Sequence, residues 1–178
     1  LASGEYKPRP SVSTVSNAMD VGAPSNYERI AAMYSLEEIR ALFASYWTDD
    51  DGTIQAIRNC HRRTGYIIDP HGAIGWQAWD DMRKGEMQNL ISGLPGNSQK
   101  PGLTPSIPSW GQDVVDGKTV GVLLETAHPA KFGSIVEKAI GREPSMPDRL
   151  AKVLSLPDNS IKIDNDYTIF KEWLIENL

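Results

Sequence analysis

The amino-acid sequence predicts an α/β protein, rich in helix, with a few mostly parallel strands. Three observations carry that expectation. Apolar residues recur at helical spacing behind capping signals, as in Leu36, Ile39, Leu42, Phe43 and Tyr46 after Ser35. The run Val120-Gly121-Val122-Leu123-Leu124 is continuously apolar, as a strand buried on both faces would be. That run passes through a short turn into His128-Pro129, a helix start, which is the strand-to-helix step of α/β proteins.

Taken in order, the elements begin with an alternating stretch, Ser11 to Ser16, read as a short half-buried strand or extended segment. Ser25 and Glu28 have capping-box spacing and open a helix that buries Tyr27, Ile30 and Met33 or Tyr34. Ser35 and Glu38 form a second box before the next helix. Asp49, Asp50 and Asp51 punctuate the chain before a third helix with Ile54, Ile57 and Cys60 on one stripe and Gly65 at its end. The three carboxylates fit a helix N-terminus, where the dipole favours them, and no spaced calcium ligands follow.

Tyr66-Ile67-Ile68 reads as a short strand, and Asp69-Pro70 as an N-cap with proline in the first turn. The helix they open carries Trp76, Trp79 and Met82. Gly72 and Gly75 interrupt its first turns at a cost of about 1 kcal/mol each relative to Ala, so a packed neighbour is expected to approach closely there. Residues 85–118 change character, with proline and glycine crowded between Gly93 and Gly111, and read as a loop excursion pinned by Trp110. After the apolar run, a helix from His128-Pro129 places Phe132, Ile135, Val136 and Ala139 on one face and closes at Gly141. Ser145 to Asp148 caps a short helix through Leu150 and Val153. Ile161 and Ile163 mark an extended piece, and a last helix from about Asp166 buries Phe170, Trp173 or Leu174, and Leu178. The whole chain, 1–178, is expected to be a single segment without internal repeats.

Composition narrows the function classes. The 178 residues contain 18 Lys and Arg against 23 Asp and Glu, a net charge of −5, which gives no electrostatic footprint for nucleic acid or an anionic membrane. The longest apolar run falls far short of the roughly 20 residues that a membrane helix needs. One cysteine, Cys60, cannot form an internal disulfide and fits a reducing, cytoplasmic setting. The chain opens on Leu1-Ala2-Ser3-Gly4 without a methionine or a basic-then-apolar leader, so we expect it to begin inside a longer protein.

The three histidines, His61, His71 and His128, have no metal-site spacing, and no metal ligand set is expected. His61-Arg62-Arg63 reads as a basic last helical turn, and Cys60 as core. The chain lacks the G-x-S-x-G, P-loop and G-x-G-x-x-G signatures. The one position where a ligand is expected is the turn after Leu124, with Thr126, His128 and Lys131, although Thr126 or His128 can equally serve as a helix cap.

Three segments extend this reading. Residues 16–29, Ser-Asn-Ala-Met-Asp-Val-Gly-Ala-Pro-Ser-Asn-Tyr-Glu-Arg, resemble the threonine synthase segment of the form S-x-A-M-D-V-G-x-P-S-N-F/Y-E-R. Asp69-Pro70-His71-Gly72-Ala73 is similar to that family's D-P-H-x-A helix start, and Thr126-Ala127-His128-Pro129-Ala130-Lys131-Phe132 to its T-A-H-P-A-K-F turn. They fall in the family's order, within its C-terminal part.

The resemblance implies the C-terminal portion of a fold-type II enzyme dependent on pyridoxal phosphate (PLP), of the tryptophan-synthase-β-like kind. Such an enzyme converts O-phospho-L-homoserine and water to L-threonine and phosphate, with phosphate leaving the γ carbon and water adding at the β carbon. It implies that Thr126 is a cofactor-binding residue whose hydroxyl meets the pyridine nitrogen, with Asn17, Asp20, Asn26, His128 and Lys131 as possible active-site neighbours. The Asn17–Asn26 loop is placed to help enclose the substrate; Arg29 can equally be a solvated helix residue, and His71 can be only a cap-region histidine. The family's Schiff-base lysine and Gly-rich phosphate loop have no equivalent in this chain, so no catalytic residue is expected here and the missing N-terminal part is an expected partner. The isolated chain is then inactive; a free-standing interaction module derived from such an enzyme is the alternative.

Overall fold

A computed structural model describes residues 6–18, 20–84 and 111–178. Residues 85–110, with Trp110 and most of the expected loop excursion, lie outside the described residues, as does Met19. The architecture is helical: α1 (Asn26–Met33), α2 (Leu36–Leu42), α3 (Asp50–Thr64), α4 (Pro70–Lys84), α5 (Gly111–Val115), a 3-10 turn (Pro129–Phe132), α6 (Gly133–Ile140), α7 (Asp148–Leu154) and α8 (Tyr167–Asn177). The chain divides into two compact units, one running to Ser145 and one from Met146 to Leu178.

The first unit is organised by α3. Asp49 caps it by accepting from the Gly52 N–H at 2.8 Å, and Gly65 ends it in the left-handed region at φ 76°. Asp50 accepts from the Val15 N–H at 3.1 Å, which ties the N-terminal segment to the same helix start. Ile54, Ala56, Ile57 and Cys60 are buried on one stripe and pack with Ile68, Ala73 of α4 and Ala139 of α6. Full burial of a side chain such as Ile57 is worth about 1.5–3 kcal/mol. Cys60 belongs to this core, and burial pushes its thiol pKa up, away from nucleophilic use. Toward the other end of α4, Met82 packs with Val114 of α5. There burial pushes Asp80 up, but Arg63 and Lys84 outweigh it and hold the carboxyl below its ordinary range.

Several expectations need correction. Ser35–Glu38 forms a complete capping box. Ser25 makes no side-chain cap bond: at φ −69°, ψ −19° it already sits in the helical region, whereas an N-cap hydroxyl reaches back from extended backbone. Nor does Ser145 cap α7, whose N-cap position is Pro147. In α1 no residue is buried, and Met33 is 70% exposed. The second unit likewise buries none of its helical residues; Trp173 and Leu174 are half-buried and Phe170 is exposed. Within the 85–118 stretch, Gly111–Val115 is helical.

No strand forms among the described residues: 66–68 and 119–125, expected as strands, are not seen as such, 11–16 keeps only its extended-segment alternative, and 161–163, expected as an extended piece, lies outside any helix. A strand is defined by its ladder, and local sequence supplies only half of one. The Val120–Leu124 run shows this: Gly121 lies against the Trp79 ring and Leu123 against Gly75 of α4, while Val120, Val122 and Leu124 are 87%, 83% and 80% exposed. The run therefore has one flank partly covered by α4 and one open, instead of two buried faces.

This contact also accounts for a helix glycine. A Cβ at Gly75 would sit 2.7 Å from Leu123 Cδ1, the end of a flexible side chain, whereas one at Gly121 would sit 2.6 Å from atoms of the rigid Trp79 ring system. We predict that Gly121→Ala lowers stability by about 1–3 kcal/mol through overpacking. Gly75→Ala should be close to neutral, because Leu123 can turn aside and alanine gains about 1 kcal/mol in a helix. Urea unfolding of both variants checks this, and equal losses would contradict it.

Candidate functional site

Asp69 sets the geometry of the site. It is fully buried and caps α4: its carboxylate accepts from the His71 N–H at 2.9 Å and the Gly72 N–H at 3.3 Å. His71 Nδ1 also lies 2.8 Å from Asp69 Oδ1, and the His71 ring rests against Phe132 at 5.2 Å between centroids. The Asp69 backbone N–H donates to Glu125 Oε1 at 3.1 Å, and the Tyr66 hydroxyl donates to Glu125 Oε2. One carboxylate, Glu125, thus joins the chain before Thr126 to the chain that opens α4.

Beyond that joint lies an open groove of about 470 Å³. Tyr66 and Ile67 form one wall; Glu125, Thr126, Ala127, His128 and Pro129 form the other, with Pro144 and Ser145 at the end. His128 is the N-cap of the 3-10 turn, its Nδ1 accepting from the Ala130 N–H at 3.1 Å. That bond leaves Nε2 to carry the proton of the neutral ring. Thr126 and His128 are exposed at the groove, so the cap reading holds for His128 while its outer nitrogen stays available.

The structure brings together Thr126 and His128 of the expected residues. Lys131 is exposed on the 3-10 turn and does not line the groove. Asn17 is exposed, and Asn26 is the exposed first residue of α1. Asp20 turns inward on its own loop, accepting from Thr14 Oγ1 at 2.7 Å and from the Thr14 N–H at 3.1 Å. Gly22 is needed in that loop, where a Cβ would lie 1.8 Å from the Arg9 carbonyl oxygen. Sequence reasoning did not single out Glu125 or Tyr66. The available signal was a carboxylate closing an otherwise apolar run immediately before the turn.

Electrostatics mark the same pair. Hydrogen bonding to Glu125, then desolvation and the carboxylate charges of Glu125 and Asp69, push the Tyr66 phenol above its ordinary range, since a phenolate there would face an anion. The phenol therefore holds its proton more tightly folded than unfolded, so its contribution to stability is lost as pH rises through the raised value. We predict that ultraviolet titration shows one tyrosine ionising late, and that Glu125→Gln moves it down toward the ordinary value. An unchanged titration in the variant would contradict the pairing.

The family model described as "Threonine synthase, C-terminal" matches residues 110–174. Threonine synthase of Haemophilus influenzae is 28% identical over 181 aligned residues, and that of Buchnera aphidicola subsp. Schizaphis graminum 31%. In each case the alignment takes in 99% of this chain and 34% of the relative, so the chain spans about a third of the length of the curated relatives it matches. Among solved structures, a PLP-bound threonine synthase from Brucella melitensis aligns with a TM-score of 0.49 and 22% identity, over 98% of this chain and 36% of that one. Along nearly its whole length the chain is thus similar to threonine synthases, and over residues 110–174 to their C-terminal family model.

Proposed function

We propose that these residues supply the C-terminal part of a PLP-dependent threonine synthase, acting in the cytoplasm on O-phospho-L-homoserine and water to yield L-threonine and phosphate. The observation that carries this reading is the Thr126 turn, where a neutral hydroxyl stands exposed at a groove whose one lining carboxylate is already engaged. Both oxygens of Glu125 accept hydrogen bonds, from Tyr66 and Asp69, so the group presented at the turn is a hydroxyl and not a free carboxylate. The residues fit a pyridine ring in these respects: Ile67, Ala127 and Pro129 offer apolar walls, and Thr126 a neutral polar partner for the ring nitrogen. PLP, when bound, supplies the electron sink for breaking carbon–hydrogen bonds beside the substrate amine.

Thr126 has a definable part in this. A hydroxyl hydrogen-bonds the ring nitrogen without stabilising a proton on it, as a carboxylate would, and so limits how strongly the ring withdraws electrons. His128, with Nδ1 held by the Ala130 N–H, offers a single Nε2–H donor of fixed direction beside it. We assign Asn17, Asp20, Asn26 and Lys131 as active-site neighbours in the assembled enzyme, Asp20 by shaping the loop through Thr14. The Schiff-base lysine and the phosphate-binding loop belong to the N-terminal part, which would also supply strand partners for the open flank of Val120–Leu124.

In the complete enzyme we expect Thr126→Ala to shift the cofactor absorbance and lower kcat about tenfold, the scale of one hydrogen bond. A variant with wild-type spectrum and turnover would remove Thr126 from the cofactor site. The 178 residues alone, given PLP and O-phospho-L-homoserine, should release no phosphate in a colorimetric assay. Sustained release would overturn the division of labour proposed here.

A further inference from the structure

We infer that Glu125 and Tyr66 form a positioning clamp for Thr126, an inference that rests on the cofactor role proposed for Thr126. Glu125 links two stretches of chain: it precedes Thr126 directly, and its carboxylate accepts from both ends of the 66–69 connection, from the Tyr66 hydroxyl after α3 and from the Asp69 N–H at the cap of α4. Asp69 is itself fixed, fully buried with its carboxylate on two amide hydrogens of α4 and on His71. The clamp thus refers the exposed Thr126 turn to a buried helix start.

The surroundings show why such a clamp is needed. On its N-terminal side, the Val120–Leu124 run has an open flank and no ladder hydrogen bonds among the described residues. On its C-terminal side the next anchor is His128, through its bond from Ala130. Between them, Glu125 provides the turn's hydrogen bonds to the residues before α4. Catalytic orientation is sensitive on the scale that such bonds control. Glu125 thereby acts through Thr126 and not on the substrate.

The test uses the full-length, PLP-loaded enzyme. Glu125→Ala should shift the cofactor absorbance in the same direction as Thr126→Ala and lower kcat roughly tenfold, with KM for O-phospho-L-homoserine near the wild-type value. In the Thr126→Ala background the same change should add little, since its effect runs through the hydroxyl already removed. Glu125→Gln should recover most of the loss, because an amide still accepts from Asp69 and can donate to the Tyr66 oxygen. Full additivity of Glu125→Ala and Thr126→Ala, or no spectral shift in Glu125→Ala, overturns the clamp while leaving the role of Thr126 intact. Absence of any effect in Thr126→Ala instead refutes the underlying cofactor reading. Should Glu125→Ala fail to fold, Tyr66→Phe removes one arm of the clamp and is expected to give a smaller shift of the same sign; a wild-type spectrum there overturns it.

Discussion

The buried carboxylate of Asp69 is the constraint on which the rest of the described site depends. A charged group without solvent is costly unless its lone pairs are met, and Asp69 meets them with the first amide hydrogens of α4 and with His71. Those bonds fix where α4 begins. Because the Asp69 N–H donates to Glu125, they also fix where the 119–125 run ends. Core and groove therefore meet just before Asp69: Ile68 on its N-terminal side lies in the α3 core, and Ile67, one residue earlier, lines the groove.

Burial and exposure are divided unevenly along the chain. α3, α4 and α6 form a packed core with fully buried Ile57, Ala73 and Val136. In contrast, α1, α7 and α8 bury no residue, and three alternate residues of the 120–124 run face outward. Apolar side chains left in water give up the main stabilising contribution to folding, and an unpaired strand-like edge invites a partner.

What the sequence made legible follows the range of the interactions. Ser35–Glu38, Asp49 at α3, Asp69-Pro70 at α4 and Gly141 after α6 are local signals satisfied within a few residues, and each appears in the structure. The stripe Ile54, Ile57, Cys60 was readable because its period matches a helix buried on one side. Ser25 and Ser145 misled because capping spacing says nothing about whether the backbone is extended at that serine. The strands misled for a different reason, since an apolar run specifies a preference and a ladder needs a neighbour. The start of the 3-10 turn could be placed by the local His128-Pro129 signal, yet the Glu125–Tyr66 pair could not, because 59 residues separate them and their pairing is purely tertiary.

We propose that this region delivers Thr126 to a PLP ring from a turn held by Glu125. A crystal structure of the full-length enzyme with PLP bound tests it most directly. The Thr126 hydroxyl is expected within hydrogen-bond distance of the pyridine nitrogen, about 2.7–3.2 Å, with Glu125 still accepting from Tyr66 and Asp69. A carboxylate at that nitrogen, or a Thr126 hydroxyl turned away from the ring, would contradict it.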